Sequence, residues 1–276
     1  MNNKSLTFNT KIYIKKHLHI KKAWCLLEKI KIINIFPDIY TDALKGAAEE
    51  RKKLSDSVRE RTGGLVEIQT VFVDKGLASI ENAYDESINT PFILEKVKWS
   101  EEQGCDAVTI DCMADAGLEA AKELANIPVI GACESSIHLA SMLGKRFSVI
   151  NILPETESLI RDKIRKYGLE VNLASVRTIH IPVLELEKDI EKTKAVAGEA
   201  AEKAVVEDGA GAIVLGCTGM AGLAESICDH LKKKGYDVPV LDPLRVAINT
   251  AIMIVLLGVR QSKEVFLTPR EKTKRL

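Results

Sequence analysis

The sequence predicts an α/β fold: two pseudo-symmetric, doubly wound parallel-sheet domains, Rossmann-like or flavodoxin-like, with the active site in the interdomain cleft. Three observations carry this. From residue 31 onward, short β-branched runs alternate with longer helical patterns. The runs are continuously apolar rather than alternating, as strands covered on both faces are. Two passages also nearly repeat: AVTIDCMADAGL at 107–118 and AIVLGCTGMAGL at 212–223 lay Cys112 on Cys217.

The elements follow in order. The run KIINIF (31–36) is a buried strand, followed by the helical pattern TDALKGAAEERKKLSDSVRERT (41–62) ending at Gly63. The run VEIQTVFV (66–73) is the next strand, and SINTPFILEKVKWSEEQG (87–104) the next helix, stopped by Gly104. The strand AVTIDC (107–112) ends at a cysteine, with a helix a few residues later, and PVIGA (128–132) leads into the small-residue helix SSIHLASMLG (135–144). The order then recurs. RFSVINI (146–152), PETESLIRDKIRKYG (154–168), ASVRTIHI (174–181), AIVLGC (212–217), PVLD (239–242) and AINTAIMIVLLG (247–258) mirror the first set. Matching fragments support a duplication: IINIFP (32–37) with VINILP (149–154), and PVIG (128–131) with PVLD (239–242).

This gives a basic, mobile N-terminal extension over 1–30, a first α/β domain over 31–133 and a second over 134–242. The helix at 243–258 returns to the first domain, and 259–276 is a loose charged tail. The extension holds eight Lys up to residue 31 against one acidic residue, Glu28. Ligands of open parallel sheets bind beyond the carboxyl ends of the strands, where Cys112, Cys217, Phe36–Asp38 and Leu153–Glu155 fall.

Bulk properties exclude several function classes. Lys+Arg and Asp+Glu both number 39, so no net field favours nucleic acid or an anionic surface. The longest apolar stretch, AIMIVLL (251–257), is far short of the roughly 20 residues of a membrane span. Six cysteines without CxxC spacing, and no secretory signal, point to free thiols in a reducing cytoplasm. The five His form no HxxxH or HExxH pattern, which argues against a metal site. No GxGxxG or GxxxxGK[ST] supports a nucleotide.

Cys25, Cys105, Cys133 and Cys228 read as inert packing. Cys112 and Cys217 differ because each ends a strand before a turn of small or polar residues, whose amides favour an anion. A thiol of pKa about 8.5 is only about 3% ionised at pH 7. Half-ionisation needs about 2 kcal/mol, so a helix end would require help from Thr218 or neighbouring amides. With one thiolate and one thiol on opposite faces of an sp³ carbon, one removes a proton while the other delivers one. The sulfurs would then lie roughly 7 Å apart, too far for a disulfide.

The motifs CMADAGL and GCTGM resemble the two cysteine motifs of the aspartate/glutamate/hydantoin racemase superfamily, and the hydantoin racemase branch most closely. The likeness covers about 66–242, including SIENAYDESINTPF (79–92), PVIGACESS (128–136), GKRFSVI (144–150) and ASVRTI (174–179). The resemblance implies a racemase without cofactor or metal, with Cys112 and Cys217 as the acid/base pair. It implies substrate contacts from Met113, Ala114, Thr218 and Gly219, a small-molecule substrate, and often a homo-oligomer. Glutamate racemases typically carry His two residues after the second cysteine, where this chain has Gly219. The hydantoin branch usually has NPNT after its first strand. Here FPDI (36–39) keeps Pro37 but places Phe36 and Asp38 where asparagines would stand, inside the substrate pocket.

The leading expectation is therefore proton exchange at C5 of a 5-substituted hydantoin. The alternatives are an aspartate-type amino-acid racemase and a non-catalytic small-molecule sensor. Whether Glu134 or His138 takes part in the site is open at this point.

Overall fold

A computed structural model describes residues 29–273. The extension expected over 1–30, and Cys25 within it, lies outside the described residues apart from Lys29 and Ile30. Ile30 already opens the first strand.

Among the described residues, eight strands form two four-stranded parallel sheets. The first contains β1 (Ile30–Ile39), β2 (Val66–Val73), β3 (Ala107–Ile110) and β4 (Val129–Gly131), in the order β2-β1-β3-β4. The second contains β5 (Phe147–Asn151), β6 (Leu173–Thr178), β7 (Ala212–Leu215) and β8 (Val240–Leu241), in the order β6-β5-β7-β8. The two orders are the same permutation, the doubly wound pattern with a switch point beside its first strand. The duplication read from the sequence is thus a duplication of topology.

The helices are α1 (Lys45–Arg61), α2 (Ala83–Glu102), α3 (Leu118–Leu124), α4 (Ala132–Gly144), α5 (Pro154–Lys166), α6 (Ile190–Val206), α7 (Ala224–Lys233) and α8 (Pro243–Leu256). Their ends follow local chemistry. Asn82 caps α2 by accepting from the Asp85 amide at 3.0 Å. Asp242 caps α8 with Pro243 as its first residue, where the missing N–H is no loss. Gly63, Gly104, Gly168 and Gly209 all have positive φ, as glycines placed after helices do. No described helix is long and apolar enough to cross a membrane.

The sheets are joined by a shared core. Ile32 and Ala107 of the first sheet and Val149 and Val214 of the second belong to one buried cluster, with Ile137 of α4 and Leu244 and Ile248 of α8 between them. Helix α8 follows the second sheet in sequence yet packs on β1, β3 and β4 of the first.

Of the segment after Gly258, expected to be loose, residues 260–263 are held down. The Gln261 amide donates to the carbonyls of Ala125 and Ile127 at 3.0 and 2.8 Å, and Lys263 Nζ reaches Glu123 O at 2.7 Å. These carbonyls end α3 and begin the approach to β4, and a short helix leaves its last carbonyls without internal partners. Charge alone made the tail look solvated; its function here is to cap.

The strand expected to reach Cys112 stops at Ile110, and the one expected to reach Cys217 stops at Leu215. At the second end Gly216 is required. A Cβ there would lie 2.7 Å from Ile150 O and 2.9 Å from Asn151 Cα, both backbone atoms that cannot step aside. Gly216→Ala should therefore destabilise the fold by about 1–3 kcal/mol, as overpacking does. The check is chemical denaturation, with an unchanged midpoint as the contrary result.

Candidate active site

The parallel registers Ile35↔Ile110 and Ile150↔Leu215 bring the ends of β3 and β7 beside β1 and β5 in the same way. Each cysteine stands two residues further on, at the carboxyl edge of its sheet. In each turn the amide two residues after the cysteine donates to its sulfur: Ala114 N to Cys112 Sγ at 3.4 Å, and Gly219 N to Cys217 Sγ at 3.3 Å. Both thiols are free, and both border one cavity between the sheets. Met113, Ala114, Thr218, Gly219, Phe36 and Asp38 line the same cavity as the two cysteines, whereas Leu153–Glu155, expected at the same sheet edge, do not.

Several expected roles change on closer view. The Thr218 hydroxyl does not reach toward sulfur; it donates to Asp111 O at 3.0 Å and ties the two cysteine turns together. The Phe36 ring stacks on Phe72 at 4.6 Å and carries the Arg51 guanidinium 4.5 Å from its centroid. Its faces are engaged by protein. Glu134 bonds Lys122 Nζ at 2.6 and 2.7 Å, and His138 Nδ1 lies 2.7 Å from the Glu134 carbonyl. Neither lines the cavity.

The acidity expected of the thiols is also corrected. Burial pushes the Cys217 thiol up to about 12, against the Gly219 amide and the charge of Arg51, which pull it down. Burial raises Cys112 well above the ordinary thiol value, reinforced by the charge of Asp38. Turn amides favour the thiolate, but desolvation is the larger effect. Burial likewise lifts Cys105 to about 11 and raises Cys133. Placement, not acidity, separates the pair from Cys105 and Cys133.

Asp38 is 5% exposed. Its carboxyl accepts from Asn89 Nδ2 at 3.2 Å, and burial, then the neighbouring charge of Asp111, raise its pKa to about 7. A carboxyl in this state can donate a hydrogen bond as well as accept one.

Behind the cavity lies a cluster the sequence reading missed. Arg51 of α1, 2% exposed, grips Asp111 with Nε and Nη2 at 2.8 and 3.0 Å. The same Nη2 donates to Thr218 O at 3.1 Å, while Nη1 donates to Ala47 O at 3.0 Å. Asn34 Nδ2 also donates to Asp111 Oδ2 at 2.8 Å. One signal was legible: within the repeat, Asp111 before Cys112 is matched by Gly216 before Cys217. Arg51 itself gave none, because it stands among Glu49, Glu50, Lys52 and Lys53.

Residues 183–187, from the second half, contribute Val183 and Glu187 to the cavity wall. Val183 N donates to Glu81 Oε1 at 2.9 Å, and the Glu187 carboxylate lies against Gly46 at the start of α1. Leu186 fills the space beside Gly219, where a Cβ would come within 2.9 Å of its Cδ1 and 3.2 Å of Cys217 Sγ. A side chain at position 219 would crowd both Leu186 and Cys217.

Comparison with known proteins gives a consistent family. The Asp/Glu/Hydantoin racemase domain model matches residues 46–251. A hydantoin racemase of Pseudomonas sp. (strain NS671) is 38% identical over 245 residues, covering 88% of this chain and 93% of that protein. One from Rhizobium meliloti is 41% identical over 196 residues, covering 71% and 79%. Among solved structures, allantoin racemase from Klebsiella pneumoniae superposes with a TM-score of 0.80 at 33% identity, covering 90% of this chain and 96% of that one.

The state of Asp38 makes a measurable difference. Folding raises its pKa from 3.8 to about 7, so the folded protein holds this proton more tightly than the unfolded chain. The stability tied to that proton is complete at low pH and is lost as pH rises through the folded value. Asp38→Asn has no proton to lose. Its melting temperature should gain on the parent protein as pH increases from about 4 to about 8. A gap that stays constant across that range would show that Asp38 does not titrate there.

Proposed function

The chain belongs to the Asp/Glu/hydantoin racemase family and is a racemase; from that premise we propose that it inverts C5 of 5-substituted hydantoins, with Cys112 and Cys217 as the acid/base pair. The observation that carries this reading is one cavity bordered by two thiols from matching turns and lined by no Lys, Arg or His among the described residues.

The lining decides between substrate classes. Asp38, Asp111 and Glu187 border the cavity, and the nearby cation, Arg51, spends four hydrogen bonds on protein acceptors. An amino acid such as aspartate would bring carboxylates with no counter-charge to meet them, which is costly in a buried site. A hydantoin ring is neutral, and its N–H groups are donors suited to carboxyl oxygens. The relatives named for hydantoin and allantoin fit the same class, allantoin being a hydantoin with a ureido group at C5.

The chemistry is a two-base exchange. A thiolate on one face takes the C5 proton: an S–H bond forms, the C–H bond breaks, and its electrons move toward the C4 carbonyl oxygen. The thiol on the other face then gives up its proton, and the pair returns to C5 to form the inverted C–H bond. The negative charge ends on the second sulfur, so the opposite enantiomer meets the reverse assignment. Each sulfur must stand about 3–3.5 Å from the carbon, which pre-positioned turns supply at little entropic cost. The Ala114 and Gly219 amides aimed at sulfur support whichever thiolate is present.

Incubation of single enantiomers in D₂O tests the reading. Loss of optical rotation with deuterium appearing at C5 of hydantoins, and not at Cα of aspartate, is the expected result. Binding without exchange, or exchange with aspartate alone, would overturn it. Cys112→Ser and Cys217→Ser should each lower kcat by about 100- to 10,000-fold. Full activity in either variant would sink the two-thiol mechanism.

A further inference from the structure

The two cysteine turns share an amide-to-sulfur hydrogen bond but are unlike in charge. Asp111 precedes Cys112, whereas Gly216 precedes Cys217. The Arg51 guanidinium holds the Asp111 carboxylate with two donors and, from the same Nη2, bonds the carbonyl of Thr218, the residue after Cys217. A buried positive charge is thereby fixed next to the second turn and anchored through the first. We propose that Arg51 is a positioning residue that makes the two sulfurs inequivalent, so that Cys217 ionises first and the proton shared by the pair rests on Cys112. The inference rests on the two-thiol reading above.

The charged groups facing the pair come from four directions. They are Asp38 from β1, Arg51 from α1, Asp111 and Asp115 from the first cysteine turn, and Glu187 from the segment 183–187. The cation opposes the carboxylates at Cys217, where Arg51 lowers the cost of a thiolate. At Cys112 the leading charges, Asp38 and Asp115, are both carboxylates and raise that cost. An anion forms first beside the cation.

The consequence is a directional resting state. The enantiomer that presents its C5 proton toward Cys217 reacts with the enzyme as it rests; the other hand requires the proton on Cys217 and the charge on Cys112. Since enantiomers are equal in free energy, kcat/KM must be the same for both hands. The asymmetry is therefore to be sought in the thiols and not in the ratio of efficiencies.

The experiment is alkylation of the full-length protein with iodoacetamide across a pH series. Mass spectrometry of the two cysteine peptides gives an apparent pKa for each thiol from its rate profile, independent of differences in access. Cys217 should titrate at least about 1 pH unit below Cys112. The double variant Arg51→Met/Asp111→Asn removes the pair together, so neither charge is left stranded in the core. In it the gap between the two titrations should narrow, the remainder being set by Asp38 and Asp115. A lower apparent pKa at Cys112 in the parent protein, equal values there, or a gap undiminished in the double variant would each overturn the proposal. If a serine at either cysteine leaves racemisation intact while the alkylation order holds, the two-thiol function fails and the charge asymmetry stands.

Discussion

One buried guanidinium, that of Arg51, ties together the parts of this molecule that face the cleft. It reaches Asp111 at the end of β3, Thr218 in the second cysteine turn, Ala47 within α1 and the face of Phe36 on β1. A buried ion pair is weak evidence for stability, because desolvation cancels much of the attraction. Its value here is geometric. The guanidinium is a rigid planar fork, and four of its five donors are committed in fixed directions. Two loops from different halves of the chain therefore cannot drift apart without breaking charge-assisted bonds in a dry interior.

Around that link the two halves repeat each other down to single hydrogen bonds. Asn34 of β1 reaches Thr70 on β2 at 3.3 Å, and Asn151 of β5 reaches Thr178 on β6 at 3.4 Å. Each half also uses one buried carboxylate to bind the segment after its cysteine to the helix that follows its fourth strand. Asp115 accepts from the Cys133 and Glu134 amides of α4, and Asp242 accepts from Gly222 and from Leu244 of α8. The symmetry breaks where chemistry would need it to. Asp111 faces Gly216, and the first sheet contributes Asp38 and Phe36 to a cavity whose other wall is largely apolar. A shared backbone plan thus presents two similar sulfurs in different electrostatic surroundings.

The burial that positions the thiols also makes them harder to ionise. On the two-thiol mechanism proposed above, proton transfer draws on placement and not on a strongly acidic cysteine, since holding reacting groups in line replaces a large entropic cost of encounter. The same enclosure strengthens every charge interaction inside it. Residues 183–187 add Val183 and Glu187 to the cavity wall, with Leu186 occupying the space beside Gly219 and Glu187 resting on the start of α1.

The alternation of strands and helices along the chain, its duplication and the two cysteines were legible in the sequence by itself. Continuous apolar runs mark strands buried on both faces, and a repeat with one thiol in each copy marks equivalent sheet edges. Asp38 was legible as a departure from the racemase pattern. The tertiary structure alone decided the rest. Arg51 lies in a run of charged helix residues, and only a carboxylate 60 positions away explains why this one is buried. The Thr218 hydroxyl turned from sulfur to the Asp111 carbonyl, and the tail after Gly258 became a cap for α3. Each outcome depends on which polar groups meet once water is excluded. Desolvation and pairing are properties of the assembled interior, and a linear pattern of residue types does not contain them.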